Sequence, residues 1–164
     1  MGALVAAVLV GWLGATPTAI AAPPRFLTLP FASTAGMQVQ LVWRAGRIAH
    51  HAIDYVRGTR DVASTWRTFP VLAAADGEAC AQLAGHHGCV DIPNEKVTNR
   101  VAIRHDVGGT TYTTVYEDLA SISPSIPIGG RRVHVTRGQP LGMTGNGEGN
   151  PADLIHLHFV VLDA

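Results

Sequence analysis

Thr98-Asn99-Arg100-Val101-Ala102-Ile103-Arg104-His105, Asp106-Val107-Gly108-Gly109 and Thr110-Thr111-Tyr112-Thr113-Thr114-Val115-Tyr116 form the continuous stretch that decides the fold. Two β-prone runs flank a Gly-Gly pair, the signature of a hairpin whose turn residues need positive φ. Outward from it the same character recurs. Met37 to Trp43 alternates loosely, Arg132-Val133-His134-Val135 leads to Gly138-Gln139, and Leu141-Gly142-Met143 leads into Thr144-Gly145-Asn146-Gly147-Glu148-Gly149-Asn150-Pro151. That glycine-rich loop lacks the lysine and following helix of a phosphate cradle, so it reads as the lead-in to a last strand. Helical periodicity is confined to the N-terminal apolar stretch and a short candidate at Asp76 to Leu83. No internal repeat interrupts the chain. The expected fold is mainly β, built from short antiparallel strands.

Two histidines stand in the last apolar run, Leu154-Ile155-His156-Leu157-His158-Phe159-Val160-Val161-Leu162. Residues two apart on a strand share a face, so both imidazoles can look into one site. Two histidines in such a run are costly unless something satisfies them. Near the front, His50-x-x-x-Asp54 supplies two more metal-competent groups. On a straight strand these would lie ~13 Å apart, too far for one ion. The short, β-prone segment Ile53 to Gly58 therefore reads as a strand entered by a loop, with His50 on the bend. Imidazole and carboxylate donors suit zinc, and a hydrolytic zinc keeps three protein ligands and one open position. An ordinary surface pair is the competing reading for His50 and Asp54 taken alone. His51 stands three residues from Asp54 and is expected to be exposed.

In order along the chain, His50-x-x-x-Asp54, Pro70 to Gly77, Asn99 to His105, Thr114 to Leu119, Arg137-Gly138-Gln139-Pro140-Leu141-Gly142 and His156-Leu157-His158-Phe159 resemble the lysostaphin/LytM-type zinc endopeptidases, which cut cell-wall peptides. The resemblance spans residues 38 to 162. It implies a barrel-sandwich hybrid fold, zinc as cofactor and peptidoglycan peptides as substrate. It also implies that His50, Asp54 and His158 are the metal ligands and that His156 is a catalytic histidine beside the metal. In that chemistry zinc lowers the pKa of its water towards ~7 and polarises the scissile carbonyl.

One position departs from the family pattern. A second catalytic histidine is expected in a Tyr-x-His-Leu run, and this chain reads Tyr116-Glu117-Asp118-Leu119. Asp118 can accept a proton or orient His156, but a carboxylate cannot donate to a developing oxyanion. Glu117, next to it, is expected to face the other side of a strand. A tyrosine that some relatives carry before the first ligand is replaced in a stretch holding Trp43 and Arg44. Two functions follow. One is an exported zinc endopeptidase acting on peptidoglycan, favoured by retention of all three ligands. The other is a non-catalytic zinc- or wall-binding module of the same fold.

The chain has 164 residues, 15% charged and 47% hydrophobic, with zero net charge. That suits one domain behind an apolar leader, and offers nucleic acid no long-range field. Arg131-Arg132 reads as a solvated strand edge. Residues 2 to 22 carry no charged side chain, and Ala19-Ile20-Ala21 has the form of a signal-peptidase site. The expected division is a signal peptide at 1–21 and a zinc endopeptidase-like domain at 22–164. An uncleaved anchor is the alternative, since the apolar stretch is long enough to reach across a bilayer core. The mature protein is expected to be secreted, periplasmic or wall-associated, monomeric and not inserted in a membrane. Cys80 and Cys89, in an apparent insertion running to Val97, are expected to form a disulfide in an exported protein. The competing arrangement is a structural zinc site of Cys80, His86, His87 and Cys89. His105 and His134 read as structural or exposed.

Overall fold

The structure is a computed structural model, describing residues 25–42, 51–86, 88–90, 98–146 and 154–163. Its strands are β1 (Met37–Leu41), β2 (Ile53–Arg57), β3 (Pro70–Leu72), β4 (Gly77–Gln82), β5 (Arg100–Val107), β6 (Thr110–Glu117), β7 (Leu119–Ile122), β8 (Val133–Val135), β9 (Pro140–Thr144) and β10 (Leu157–Asp163). A single 3-10 turn at Ala63–Thr65 is the helical element among the described residues. The fold is therefore mainly β, and every strand pair is antiparallel.

Gly108 and Gly109 close the β5–β6 hairpin with φ of 59° and 84°, the two positive values of a type I′ turn. This hairpin sits inside a seven-stranded open sheet of order β1-β2-β10-β6-β5-β4-β8. A second sheet, β3-β9-β7, lies across its inner face. Val101 and Ile103 of β5, Tyr116 of β6, and Leu157 and Phe159 of β10 meet Val71, Leu119 and Leu141 of the smaller sheet there. Fully burying one such side chain contributes about 1.5–3 kcal/mol, so this sandwich is the main store of stability.

The segment Asp76 to Leu83, expected to favour a helix, contains strand β4 instead. Its small residues are buried on both faces. Ala79 and Ala81 join the inner core while Cys80 packs on the outer face, so no alternation of polar and apolar residues marks the strand. Gly77 admits the close approach of β5, because a Cβ there would strike the Arg104 carbonyl and the Ile103 side chain.

His105 is structural, as expected, and fully buried. Its Nδ1 donates to the Asp76 carbonyl at 2.6 Å, so Nε2 accepts from the Thr114 hydroxyl at 2.8 Å. Burial pushes its pKa down, against the smaller opposing effects of the Asp76 carbonyl and the Asp106 and Asp76 charges. The Tyr116 hydroxyl lies 3.3 Å from Thr114 and accepts the Ala74 N–H at 2.8 Å. Burial drives that phenol up to about 12. His134, by contrast, is exposed beside Glu78.

On the outer face, Cys80 and Cys89 are joined by the expected disulfide. Disulfide sulfurs are not available as thiolate ligands, which removes the alternative zinc site. His86 is exposed, and His87 lies outside the described residues, as do positions 91–97 of the insertion. The signal-peptide expectation at 1–21 and most of the glycine-rich loop also fall outside them. Among the described residues no helix is long and apolar enough to cross a membrane.

Candidate metal centre

The outer face of the large sheet carries two adjacent rows of cross-strand neighbours. In one, Val160, Val115, Ala102 and Cys80 stand opposite one another on β10, β6, β5 and β4, with Ala52 packed beside them. The neighbouring row is polar. Asp54 faces His158, His158 faces Glu117, Glu117 pairs with Arg100, and Arg100 faces Gln82. Because directly opposed residues on antiparallel strands share a face, register gathers Asp54, His158 and Glu117 on one side and Arg100 and Gln82 on the other, and the ion pair joins the two groups. The disulfide and its loop roof the apolar row, and the Val90 N–H reaches Gln82 Oε1 at 3.5 Å.

Asp54 and His158 form the open end of the polar row. His158 Nδ1 lies 2.9 Å from Asp54 Oδ1. Zinc bonds of roughly 2.0–2.2 Å place two donors on one ion ~3.4 Å apart, so a small separation admits the metal between them. Ligand atoms of Asp54, His156 and His158 all lie within 4.8 Å of one another. The donor set therefore fits a divalent cation. His50, the third expected ligand, lies outside the described residues; His51 is exposed, as expected.

His156 precedes β10 and bridges Gly145, which places its ring 6.5 Å from that of His158. Both of its nitrogens face acceptors. Nδ1 is 2.8 Å from the Leu154 carbonyl and Nε2 is 3.0 Å from Asp118 Oδ2. Burial by itself lowers the pKa. The hydrogen bond and charge of Asp118, the charge of Asp54 and the Leu154 carbonyl outweigh it, so the net shift is upward. An imidazolium donating at both nitrogens satisfies this arrangement. In that form the ring has no lone pair for base catalysis, and loss of one proton returns the nitrogen with which it could join Asp54 and His158 around an ion.

Asp118 reaches this site through its backbone. It follows the end of β6 with φ of 62°, a left-handed conformation in which aspartate is among the more tolerant residues. Its carbonyl accepts the Gly145 N–H at 2.6 Å and its N–H donates to Thr98 Oγ1 at 3.3 Å. Gly145 has to be glycine for that approach, since a Cβ there would meet the Ala120 nitrogen at 2.7 Å. The twist breaks strand alternation and corrects the expectation that Glu117 turns away from the site. Glu117 Oε2 lies 3.9 Å from His158 Nε2 while Asp118 holds His156, so consecutive carboxylates serve consecutive histidines.

Arg100 escaped sequence reasoning, and with it the pairing to Glu117. Their side chains are buried, at 2% and 4% exposure, and form an ion pair of 2.8 Å. Nothing in the sequence around Arg100 marks it as buried, and only the folded structure shows its partner.

No family model matches the sequence, and no curated protein matches it. Among solved structures the chain is similar to Helicobacter pylori Csd3, with a TM-score of 0.53 and 19% identity over 84% of this chain. It spans 32% of that chain. A chain of the SpoIIQ–SpoIIIAH pore-forming complex matches at 0.54 and 16% identity, covering 84% of this chain and 87% of that one. A chain of a further SpoIIIAH–SpoIIQ complex matches at 0.55 and 16%, covering 84% and 96%. At these identities the likeness shows a shared fold.

Proposed function

We propose that this chain is a non-catalytic metal-binding module of the lysostaphin/LytM type that engages cell-wall peptides. The observation that carries the reading is His156, whose two nitrogens are held by Leu154 and Asp118. Asp54 and His158, with His50 from the sequence pattern, would hold zinc. When bound, zinc supplies Lewis acidity towards a peptide carbonyl and a lowered pKa for water.

The chain's own residues do the rest. Asp54 and His158 anchor the cation on adjacent strands of one sheet, which fixes their separation. Asp118 keeps a proton on Nε2 of His156 and draws that N–H away from an incoming carbonyl oxygen. Its charge also opposes negative charge developing on the same oxygen. Binding survives this arrangement better than turnover does. The fold is shared with chains of a complex between two proteins, which supports a binding role for such a domain.

A second reading, an exported zinc endopeptidase of low activity, is favoured by the intact Asp54–His158 pair. Zinc-loaded protein incubated with cross-linked muropeptides, followed by mass analysis, separates the two. The module reading expects binding with no cleavage by the native chain. General acid–base groups contribute typically ~10²–10⁴-fold, so an endopeptidase lacking one would remain slow but measurable. Cleavage by the native protein, abolished by Asp54→Ala, would establish the second reading. If muropeptides are neither bound nor cut, both fail.

A further inference from the structure

We infer that Glu117, held by Arg100, is the positioning carboxylate of the metal ligand His158, so that zinc affinity depends on a buried ion pair away from the ion. This rests on the metal reading of Asp54 and His158. The geometry points to it from three directions. His158 turns Nδ1 to Asp54 at 2.9 Å and Nε2 to Glu117 Oε2 at 3.9 Å, so the ring lies between the ligand carboxylate and a second carboxylate. Glu117 stands directly opposite His158 in the β6–β10 register, so the placement is set by the backbone. Arg100 fixes the other carboxylate oxygen of Glu117 at 2.8 Å.

A metal-bound imidazole is a better donor, and better aimed, when its other nitrogen faces an anion. At 3.9 Å Glu117 is beyond direct hydrogen-bond length and acts on the ring through its charge. That action is strong here because the Glu117 end of the row is buried. Arg100 and Glu117 are 1% and 3% exposed, and the Cys80–Cys89 loop covers the adjacent apolar row. Arg100 in turn prevents the carboxylate from swinging towards the cation and becoming a ligand itself. Glu117 is thus a positioning residue for His158, and Arg100 a positioning residue for Glu117.

The test is zinc affinity of the full chain by chelator competition, together with the visible spectrum of the cobalt(II)-loaded protein. Glu117→Gln keeps the shape and removes the charge, but leaves the Arg100 cation buried and threatens folding. The double variant Arg100→Met/Glu117→Gln removes both charges and is the safer probe. Loss of an outer carboxylate typically weakens metal binding by roughly 10–100-fold, which is the expected result for the folded double variant. Arg100→Lys, which retains a cation beside Glu117, is expected to recover most of the affinity. The cobalt bands should move in the double variant at full loading, a change that a purely structural role would not produce. Unchanged zinc affinity and an unchanged cobalt spectrum in a folded double variant overturn the inference. His158→Ala supplies the separate control. If native protein binds no zinc, or His158→Ala binds as tightly as native, the metal reading itself fails.

Discussion

Replacing Arg100 with methionine should destabilise the metal-free protein by about 3–5 kcal/mol. The figure follows from the burial of the pair. Arg100 and Glu117 side chains are 2% and 4% exposed and meet at 2.8 Å, so removing the guanidinium takes away the cation that a buried carboxylate faces. Methionine keeps much of the packing of the arginine stem, so the loss reports mainly on charge. For a domain of this size each kcal/mol moves the melting temperature by about 2–4 °C, which predicts a fall of roughly 6–20 °C. The assay is urea unfolding of chelator-treated protein, since bound metal would add its own stabilisation. Glu117→Leu should cost a similar amount. The double variant Arg100→Met/Glu117→Leu should lie near wild type, because a buried ion pair replaced by apolar groups of similar volume is often neutral. Single-variant losses of ~0–1 kcal/mol, the range of an exposed pair, would refute the reasoning. So would strictly additive losses in the double variant, which would mean the two charges do not interact.

Burial lowers the pKa of His105, so the unfolded chain takes up its proton at a higher pH than the folded one. Its stabilising effect is complete above ~pH 6.5 and is lost as pH falls towards the folded value. Melting temperatures across pH 5–8 should therefore drop on the acid side, and His105→Gln should flatten that slope; an equal slope in both proteins would contradict the assignment. His156, shifted upward, works in the opposite sense and is common to both proteins, so the comparison isolates His105. Removing the Cys80–Cys89 disulfide by a Cys→Ala pair should cost about 2–3 kcal/mol on loop-closure entropy, read by urea unfolding. Thiol labelling of native protein without reductant should find no free cysteine, and two reactive thiols would overturn the pairing.

Much of this arrangement is legible in residue types and spacing. The Gly108-Gly109 hairpin, the apolar β10 and the shared face of His156 and His158 follow from turn chemistry and a period of two. Asp54 on a strand is legible from its β-prone neighbours. Register is not. Nothing in the order Glu117, His158 and Arg100 says that they stand in one row, because cross-strand partners come from distant parts of the chain. Nor does Asp118 announce its left-handed backbone, which overrides alternation and brings two consecutive carboxylates to one site. Strand β4 was hidden for a different reason: a strand packed on both faces by alanines and a cysteine leaves no periodic signal, and the same residues suit a helix.

Charge balance at the site explains how a cation site can persist where the hydrolytic helper has changed. Asp54, Glu117 and Asp118 bring three carboxylates together, against the Arg100 guanidinium and His156, whose pKa Asp118 and Asp54 raise against the effect of burial. Arg100 answers Glu117 and His156 answers Asp118, each at hydrogen-bond distance. At the open end of the row Asp54 and His158 stand 2.9 Å apart. A divalent cation is attracted to the Asp54 carboxylate. A developing oxyanion meets the opposite field, since His156 Nε2 is turned to Asp118 at 3.0 Å. Asp118→His removes that carboxylate and frees His156 Nε2 from its acceptor, while Asp54 and His158 stay in place. If the module reading is right, this substitution should leave zinc affinity within the native range while muropeptide cleavage rises from none to measurable. Equal inertness of both proteins, fully loaded with zinc, would show that Asp118 is not the residue that silences the site.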